Sequence, residues 1–328
     1  MTTYKGIKGL GIQSITSDAI ASQISGGAWA SGGNLNEGRY ASGGAGTQTS
    51  ALMIGGLPPI TADVESYDGS SWTEITELNS ARSELGAAGA SNTSALAIGG
   101  REPPSVISDK CEEWNGSAWS EESDLNTARR SIAGSTGIVT AALIYGGQAP
   151  NTPGGNTDVC ETWNGSSWSE TGDLNAARRE ITTGIGSNTA ALAVAGNTPP
   201  GAVSAATETF NGSSWTETGD LNQGRKNAAG FGTSTAGLVS GGETPSMTGN
   251  TESWDGSSWT ERADLSTSRG WLQSSVQAPS SQGVVFGGYE PDDITATEEW
   301  TAPATFRQFN LGDIYYNADP GSGVLKYV

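Results

Sequence analysis

One motif recurs six times along this chain of 328 residues and dominates its sequence. Each copy carries a tryptophan, and successive tryptophans are separated by 43, 47, 49, 47 and 44 residues: Trp29, Trp72, Trp119, Trp168, Trp215 and Trp259. A leucine follows each tryptophan by six residues and an arginine follows it by ten. A repeat length in the forties is typical of β-propeller blades, which bury their apolar faces against their neighbours. The chain is therefore predicted to be a repeat protein with one continuous core.

Each copy contains the signals of four β-strands. A stretch of small residues begins at the arginine, as in RSELGAAG, and predicts the first strand. The second is an apolar run closed by two small residues, as in ALMIGG, which suits a strand buried on both faces. The third ends in an aromatic residue, as in CEEW, and the fourth begins at the repeated tryptophan. Asn-Gly or Asp-Gly joins these two outer strands and favours a tight hairpin.

Helical periodicity is nearly absent, so the sequence predicts an all-β fold: a six-bladed β-propeller with four-stranded blades and short terminal extensions. We place an N-terminal arm at 1–18, the propeller at 19–301 and a hairpin-like anchoring tail at 302–328. Residues 17–24 are compatible with either a short helix or an extended strand. Trp29 has no complete blade before it, and Trp300 has no tryptophan five residues after it. The Trp29 strand is therefore predicted to complete the sixth blade and close the ring.

The succession of Gly-Gly, aromatic residue, tryptophan, leucine and arginine resembles the kelch repeat over residues 19–301. The chain departs from that pattern in its short Asn-Gly-Ser-Ser hairpin and at Ala195, which replaces a glycine. The resemblance implies a kelch-like propeller. It leaves three classes of function open: a structural binding protein, an enzyme that acts on glycans or oxidises sugars, and a cellular kelch interaction module.

Composition narrows these classes. The formal charge of −19 disfavours nucleic acid as a partner, because binding the phosphate backbone needs clustered cations. The chain has no histidine, which excludes histidine metal sites and Ser-His-Asp or Cys-His catalysis. Cys111 and Cys160 occupy the same position in adjacent copies, too far apart for a disulfide, and are predicted to be buried thiols. We therefore predict no catalytic residue, no cofactor and no catalytic metal, and leave weak calcium binding open at 290–293.

Residues that recur in every copy are expected to have structural roles, with the paired aromatic residues packing between blades. The repeated arginines are expected to contact the acidic residue five positions before them or nearby carbonyls. An anion-binding ring around the channel is the alternative. Specific binding should use the loops between second and third strands, where the copies differ and which share a face with the loops between blades. The candidate binding residues are Arg101, Glu102, Tyr289, Asp292 and Asp293, together with Arg82, Arg129, Arg178, Arg225 and Arg269.

The tail breaks the repeat and is rich in apolar and aromatic residues. Two apolar runs flank a Pro-Gly turn and predict a hairpin that is too small to stand alone. Apolar residues at this density indicate an interface. The candidate assembly residues are Phe306, Phe309, Leu311, Ile314, Tyr315, Tyr316, Leu325 and Tyr327.

Both termini carry a second resemblance. GDIYYN followed by LKY resembles a segment of phage tail and fibre proteins. The opening TTYKGIKGLGIQSI, joined to repeats rich in Gly, Ser and Thr, resembles virion proteins of marine phages of the cyanophage type. These resemblances imply a non-enzymatic virion protein, such as a tail fibre, adhesin or capsid decoration. It would bind other virion proteins through its termini and a host-surface glycan or protein through its propeller, and it could form a homo-oligomer.

The sequence shows neither a signal-peptide core nor an apolar stretch long enough to span a membrane. We therefore expect synthesis in the host cytoplasm, without secretion by a signal peptide, and assembly into the virion.

Overall fold

A computed structural model describes residues 27–132, 134–150, 152, 154–302, 314–316 and 325–327. Residues Gly27–Ala302 form one compact unit of six four-stranded antiparallel sheets, and no helix occurs in the described ranges. The predicted all-β, six-bladed propeller is confirmed. The predicted arm at 1–18, the segment 17–24 and the boundary at residue 19 lie outside the described residues.

The chain enters the propeller through β1 (Ala28–Ser31), and each of blades 1 to 5 then uses four consecutive strands. Blade 1 contains β2 (Gly43–Thr47), β3 (Ser50–Gly56), β4 (Thr61–Tyr67) and β5 (Trp72–Ile75). Blade 2 contains β6 (Gly86–Ser91), β7 (Ser94–Glu102), β8 (Val106–Trp114) and β9 (Trp119–Glu121). Blade 3 contains β10 (Ser135–Ile138), β11 (Ala141–Tyr145), β12 (Cys160–Trp163) and β13 (Trp168–Glu170).

The remaining blades keep the same order of strands. Blade 4 contains β14 (Ile185–Ser187), β15 (Ala190–Thr198), β16 (Ala202–Phe210) and β17 (Trp215–Glu217). Blade 5 contains β18 (Ala229–Thr233), β19 (Ala236–Ser240), β20 (Thr251–Trp254) and β21 (Trp259–Arg262). Blade 6 contains β22 (Gln273–Ser274), β23 (Gln282–Phe286), β24 (Thr297–Thr301) and, as its outermost strand, β1.

The two ends of the propeller meet in blade 6. Strand β1 pairs antiparallel with β24, with Trp29 opposite Trp300 and the two ring centroids 5.3 Å apart. The indole N–H of Trp29 also donates to Thr251 Oγ1 of blade 5 at 3.1 Å. The predicted closure of the ring is therefore confirmed, and it leaves β24 without a free edge.

Two strands of the tail pair with each other, where the sequence predicts a hairpin. β25 (Ile314–Tyr316) runs antiparallel to β26 (Leu325–Tyr327), with Tyr316 opposite Leu325. Among the candidate assembly residues, Phe306, Phe309 and Leu311 lie outside the described residues. The other five lie on these two strands, with only their backbone described, so their role in assembly stays a prediction.

The core lies between the blades. The second strand of each blade is almost wholly buried, as predicted, and the aromatic pair of one blade packs against its neighbour. The rings of Trp114 and Trp119 in blade 2 are 5.5 Å apart and join a cluster with Leu52 and Ile54 of blade 1. The prediction that the repeated aromatic residues serve packing between blades is confirmed.

The two cysteines also take part in this packing. Three of the repeated tryptophans donate their indole N–H to a threonine of the preceding blade. This threonine lies three residues before the aromatic residue that ends the third strand. Trp259, for example, donates to Thr207 Oγ1 at 3.1 Å. Cys111 and Cys160 occupy this threonine position, where their thiols face Trp168 and Trp215. Both thiols are unpaired and buried, as predicted.

Each repeated arginine forms a buried ion pair with a glutamate on the third strand of the next blade. Arg178 Nη2 lies 2.6 Å from Glu208 Oε1, and Nη1 donates to the carbonyls of Ala195 and Ala206. Asn175 donates through its backbone and side-chain nitrogens to the other carboxylate oxygen. The six pairs are Arg39–Glu65, Arg82–Glu112, Arg129–Glu161, Arg178–Glu208, Arg225–Glu252 and Arg269–Glu298.

This arrangement corrects one expectation and refines another. The predicted acidic partner five residues before the arginine is wrong, since Asp173 accepts from the backbone N–H of Cys160 instead, while the predicted carbonyl contacts do form. The first strands also start four to seven residues after the arginine rather than at it. The reason is a residue two positions after the arginine whose positive φ cannot belong to a strand, such as Glu84 at 55°.

Candidate functional site at the channel mouth

Six left-handed residues surround the central channel at one face of the propeller. Each lies two positions after a repeated arginine, with φ between 52° and 58°. Backbone hydrogen bonds link them from blade to blade; Glu84 N–H donates to Ala41 O at 2.6 Å and Trp271 N–H donates to Asn227 O at 2.9 Å. At one of the six links the donor is the next residue, Ile132, whose N–H bonds Glu84 O at 3.3 Å. The six residues are Ala41, Glu84, Ser131, Glu180, Asn227 and Trp271. Non-glycine residues rarely adopt this conformation, and here it places five kinds of side chain in the same backbone geometry around the channel.

The loops between blades and the loops between second and third strands meet around this ring, as the sequence predicts. The residue after each arginine pairs with the residue that follows the two small residues of the second strand, as in Tyr40 with Leu57 and Ser83 with Arg101. The same bridge recurs in all six blades. The channel mouth is therefore lined by positions at which the six copies differ.

An arc of paired charges occupies one side of the mouth. Glu84 Oε1 lies 3.3 Å from Arg101 Nε and 3.5 Å from Arg130 Nη1. Glu180 lies 3.2 Å from both Arg179 Nε and Lys226 Nζ. These four cations keep 18–27% of their side chains exposed, so they remain accessible to a ligand.

This arc concentrates most of the accessible positive charge of the propeller. Residues 27–302 contain twelve lysines and arginines, of which six form the buried pairs between blades. Four of the other six form the arc, and a fifth, Lys110, bonds Glu102 at 3.2 Å on the adjoining hairpin of blade 2. Although the chain has a formal net charge of −19, the mouth therefore offers a ligand cationic hydrogen-bond donors as well as carboxylate acceptors.

Three aromatic side chains occupy the opposite side. Tyr40 lies 6.3 Å from Trp271 and 5.3 Å from Tyr289, measured between ring centroids. Tyr289 is 37% exposed and the other two are half-buried. Burial, followed by the carboxylate of Asp293, raises the pKa of the Tyr40 hydroxyl, and Arg101 and Glu84 also act on it. The aromatic cluster and the charged arc thus adjoin each other at Tyr40.

A small cavity of about 30 Å³ lies beside the ring of left-handed residues, with room for about one water molecule. Its lining includes Trp271, Glu84 and Glu180, together with Ser42 and Asn227. Ser42 Oγ and Asn227 Nδ2 are buried there without a partner in the described part of the chain. A buried polar atom without a partner is costly, so both atoms favour a polar occupant.

The structure separates the predicted binding residues into three groups. Arg101, Tyr289 and Asp293 converge on Tyr40. Glu102 accepts from Ser108 and Lys110, and Asp292 lies exposed in the loop of blade 6. Arg82, Arg129, Arg178, Arg225 and Arg269 are all buried, with at most 1% of the residue exposed. The anion-binding ring considered for these arginines is therefore corrected: their guanidinium groups bind glutamates and carbonyls inside the blades.

Sequence reasoning missed Tyr40, Glu84, Arg130 and Trp271. The signal that could have found them is variation inside the repeat itself. The two positions after each invariant arginine carry Tyr-Ala, Ser-Glu, Arg-Ser, Arg-Glu, Lys-Asn and Gly-Trp in successive copies. A comparison of the copies by loop length does not detect these positions, because their spacing from the repeated tryptophan is the same in every copy.

The other end of the channel has a different character. Gln277 crosses it: the backbone N–H donates to Gly46 O at 3.0 Å, and the side chain reaches Thr136 Oγ1 at 3.3 Å. A cavity of about 430 Å³ adjoins this residue and is lined by small uncharged residues such as Gly186, Ala190 and Gly232. This end offers neither the charged nor the aromatic groups of the mouth.

Two features are absent from the described residues: a metal-binding cluster and a membrane-spanning helix. They contain no cluster of three or more Asp, Glu or Cys side chains arranged to hold a metal ion. They also contain no helix of the length and hydropathy needed to cross a membrane.

Comparison with known proteins defines the class as a β-propeller. The chain is similar to a solved structure described as "Structure of YjhT", with a TM-score of 0.65 and 13% sequence identity, over 81% of this chain and 95% of that one. No protein-family model and no curated protein sequence matches. At this identity the likeness establishes the six-bladed fold alone.

Proposed function

We propose that the protein is a non-enzymatic binding component of a phage virion, whose kelch-like propeller presents the channel mouth to a ligand on the host surface or on a neighbouring subunit. The observation that carries the binding role is the asymmetry of the mouth. Three sets of structurally equivalent positions, with one residue of each set in every copy, carry a charged arc on one side of the mouth and three packed aromatic rings on the other. A site with purely structural residues would repeat from blade to blade, as the buried arginine pairs do.

The virion role draws on the termini. Their resemblance to phage tail, fibre and virion proteins supports placement on a particle, as a tail fibre, adhesin or capsid decoration. The repeat pattern supports the kelch-like character of the blades. The tail hairpin, as an element too short to be stable by itself, suits attachment to another virion protein.

The chemistry of the mouth favours binding over catalysis. Each of its two central carboxylates, Glu84 and Glu180, is held by two cations within 3.5 Å. Carboxylates fixed in this way orient their partners and accept hydrogen bonds from a ligand.

Two measurements test the proposal. Immunogold electron microscopy of purified particles, with antibodies against the propeller, should label the particle surface; unlabelled particles would refute the virion role.

Full-length protein should also compete with particles for adsorption to host cells or for assembly onto depleted particles. Tyr289→Ala should weaken that competition, whereas Ile138→Ala, which changes an equally exposed side chain at the other end of the channel, should not. Equal competition by both variants would place binding elsewhere on the molecule.

A further inference from the structure

The aromatic cluster at the mouth is a surface rather than a cage. Tyr40 contacts both of the other rings, Tyr289 at 5.3 Å and Trp271 at 6.3 Å, with interplanar angles of 53° and 68°, which leaves no gap beside Tyr40 for a compact cation. A cage for a methylated amine would hold its rings apart, around the ligand. Such a surface instead suits the flat apolar face of a ligand that stacks on it.

The rim of this surface is chemically mixed. Arg101 supplies donors, and Glu84 and Asp293 supply acceptors, around the Tyr40 hydroxyl. Because Glu84 and Asp293 together balance the formal charges of Arg101 and Arg130, an anionic ligand would meet little uncompensated positive charge there. Paired donors and acceptors match hydroxyl groups, each of which can donate and accept.

The cavity beside Trp271 adds a third feature. Ser42 and Asn227 are 2% and 5% exposed, and their unpartnered Oγ and Nδ2 atoms adjoin a space of about 30 Å³. That space accommodates one hydroxyl group or water molecule and no more. A ligand stacked on the rings would therefore place a single polar group in this cavity.

Together these features define the ligand class, and the inference rests on the proposed binding function of the mouth. We propose that the channel mouth binds a neutral hexopyranose at the end of a saccharide chain. The C–H face of the sugar stacks on one ring of the cluster formed by Tyr40, Trp271 and Tyr289, and the edge of the sugar contacts the tilted neighbouring rings. Its equatorial hydroxyls bond the mixed rim, and one hydroxyl enters the cavity at Ser42 and Asn227. A proline-rich peptide also stacks on aromatic rings, but its extended backbone needs a groove, whereas this cavity admits one group at the axis.

The test is a titration of the full chain with the methyl glycosides of glucose, galactose, mannose and N-acetylglucosamine. Binding is followed by tryptophan fluorescence and by the indole N–H signal of Trp271 in NMR spectra. At least one glycoside should bind saturably below about 50 mM, a range that includes millimolar dissociation constants. A proline-rich decapeptide serves as the competing ligand class.

Three variants locate the site. Trp271→Ala should weaken glycoside binding about tenfold or more, and it should fold, because Ala41 has the same left-handed conformation in blade 1. Asn227→Ala should weaken binding about three- to tenfold, the loss of one hydrogen bond. Ile138→Ala should bind as the unaltered protein does.

The outcomes separate this inference from the function on which it rests. If none of the four glycosides binds, or if the peptide binds at Trp271 instead, the saccharide proposal is wrong, while labelling of particles and the effect of Tyr289→Ala on competition would still support the binding function. If a glycoside binds and Trp271→Ala has no effect, the site is wrongly placed. If particles carry no label but glycosides bind at Trp271, the virion role fails and the saccharide site stands.

Discussion

Loss of one partner of a buried ion pair should strongly destabilise the ring, and two adjacent arginines in the loop between blades 3 and 4 allow a matched test. Arg178 is fully buried, with Nη2 2.6 Å from Glu208, whereas the next residue, Arg179, is 27% exposed and pairs with Glu180 at 3.2 Å. Burial lowers the pKa of Arg178, and the carboxylate of Glu208 counters this effect. The two buried charges compensate each other, so removal of either side chain leaves the other as a buried charge without its partner.

Arg178→Met removes the ion pair and the bonds to the carbonyls of Ala195 and Ala206. Glu208 keeps only the two donors of Asn175. Breaking a buried pair on one side costs about 3–5 kcal/mol. At about 2 °C or more per kcal/mol for a domain of this size, the melting temperature should fall by at least about 6 °C. Arg179→Met, which breaks an accessible pair, should cost less than about 1 kcal/mol.

The assay is urea denaturation followed by tryptophan fluorescence, with calorimetry to measure the melting temperature. The double variant Arg178→Met/Glu208→Gln should recover about 1–3 kcal/mol of the loss, because an uncharged amide still accepts from Asn175 without a buried charge. Equal losses for Arg178→Met and Arg179→Met would refute the reasoning. A double variant as unstable as the sum of its single changes would show that the charge of Glu208 is not what destabilises the protein.

Three further predictions concern the ends of the chain and the cysteines. Truncation of residues 1–31 removes β1 from blade 6 and should lower the melting temperature of the propeller, whereas truncation of 1–26 keeps β1 and should not; equal melting temperatures would disprove the role of ring closure. Burial raises the pKa of both Cys111 and Cys160 to about 12, well above about 8.5 for an exposed thiol, so their contribution to stability is complete below pH 8.5 and is lost as the pH rises towards 12. Replacement of both by threonine, the residue of three other copies, should flatten this alkaline loss in urea titrations, and an unchanged slope would contradict it. Removal of residues 303–328 should leave a soluble propeller that no longer joins particles, as judged by sedimentation and co-purification; assembly equal to that of the full chain would assign the anchor to another segment.

The repeat by itself determined the number of blades, the four strands of each blade and the closure of the ring. These features follow from local patterns that recur in register, such as the apolar second strand and the Asn-Gly hairpin, and six copies average out the ambiguity of any single one. In the other copies the two paired aromatic residues lie five residues apart, but Trp29 and Trp300 each lack such a neighbour in the sequence. They therefore indicated that the two ends of the chain pair with each other. The burial of the paired aromatic residues followed from the same register.

Tertiary structure alone decided what the arginines bind and where the candidate site lies. Arg178 lies in the loop before blade 4, and Glu208 lies 30 residues later on the third strand of that blade, so no local pattern distinguishes Glu208 from Asp173, which lies five residues before the arginine. Tyr40, Trp271 and Tyr289 likewise meet only because blades 1 and 6 become neighbours when the ring closes. In the sequence, a residue repeated six times indicates one structural role. The convergence of six blades on one axis brings the variable positions beside these residues together into a shared site. That convergence depends on the curvature of the whole ring, and no segment of the chain encodes it locally.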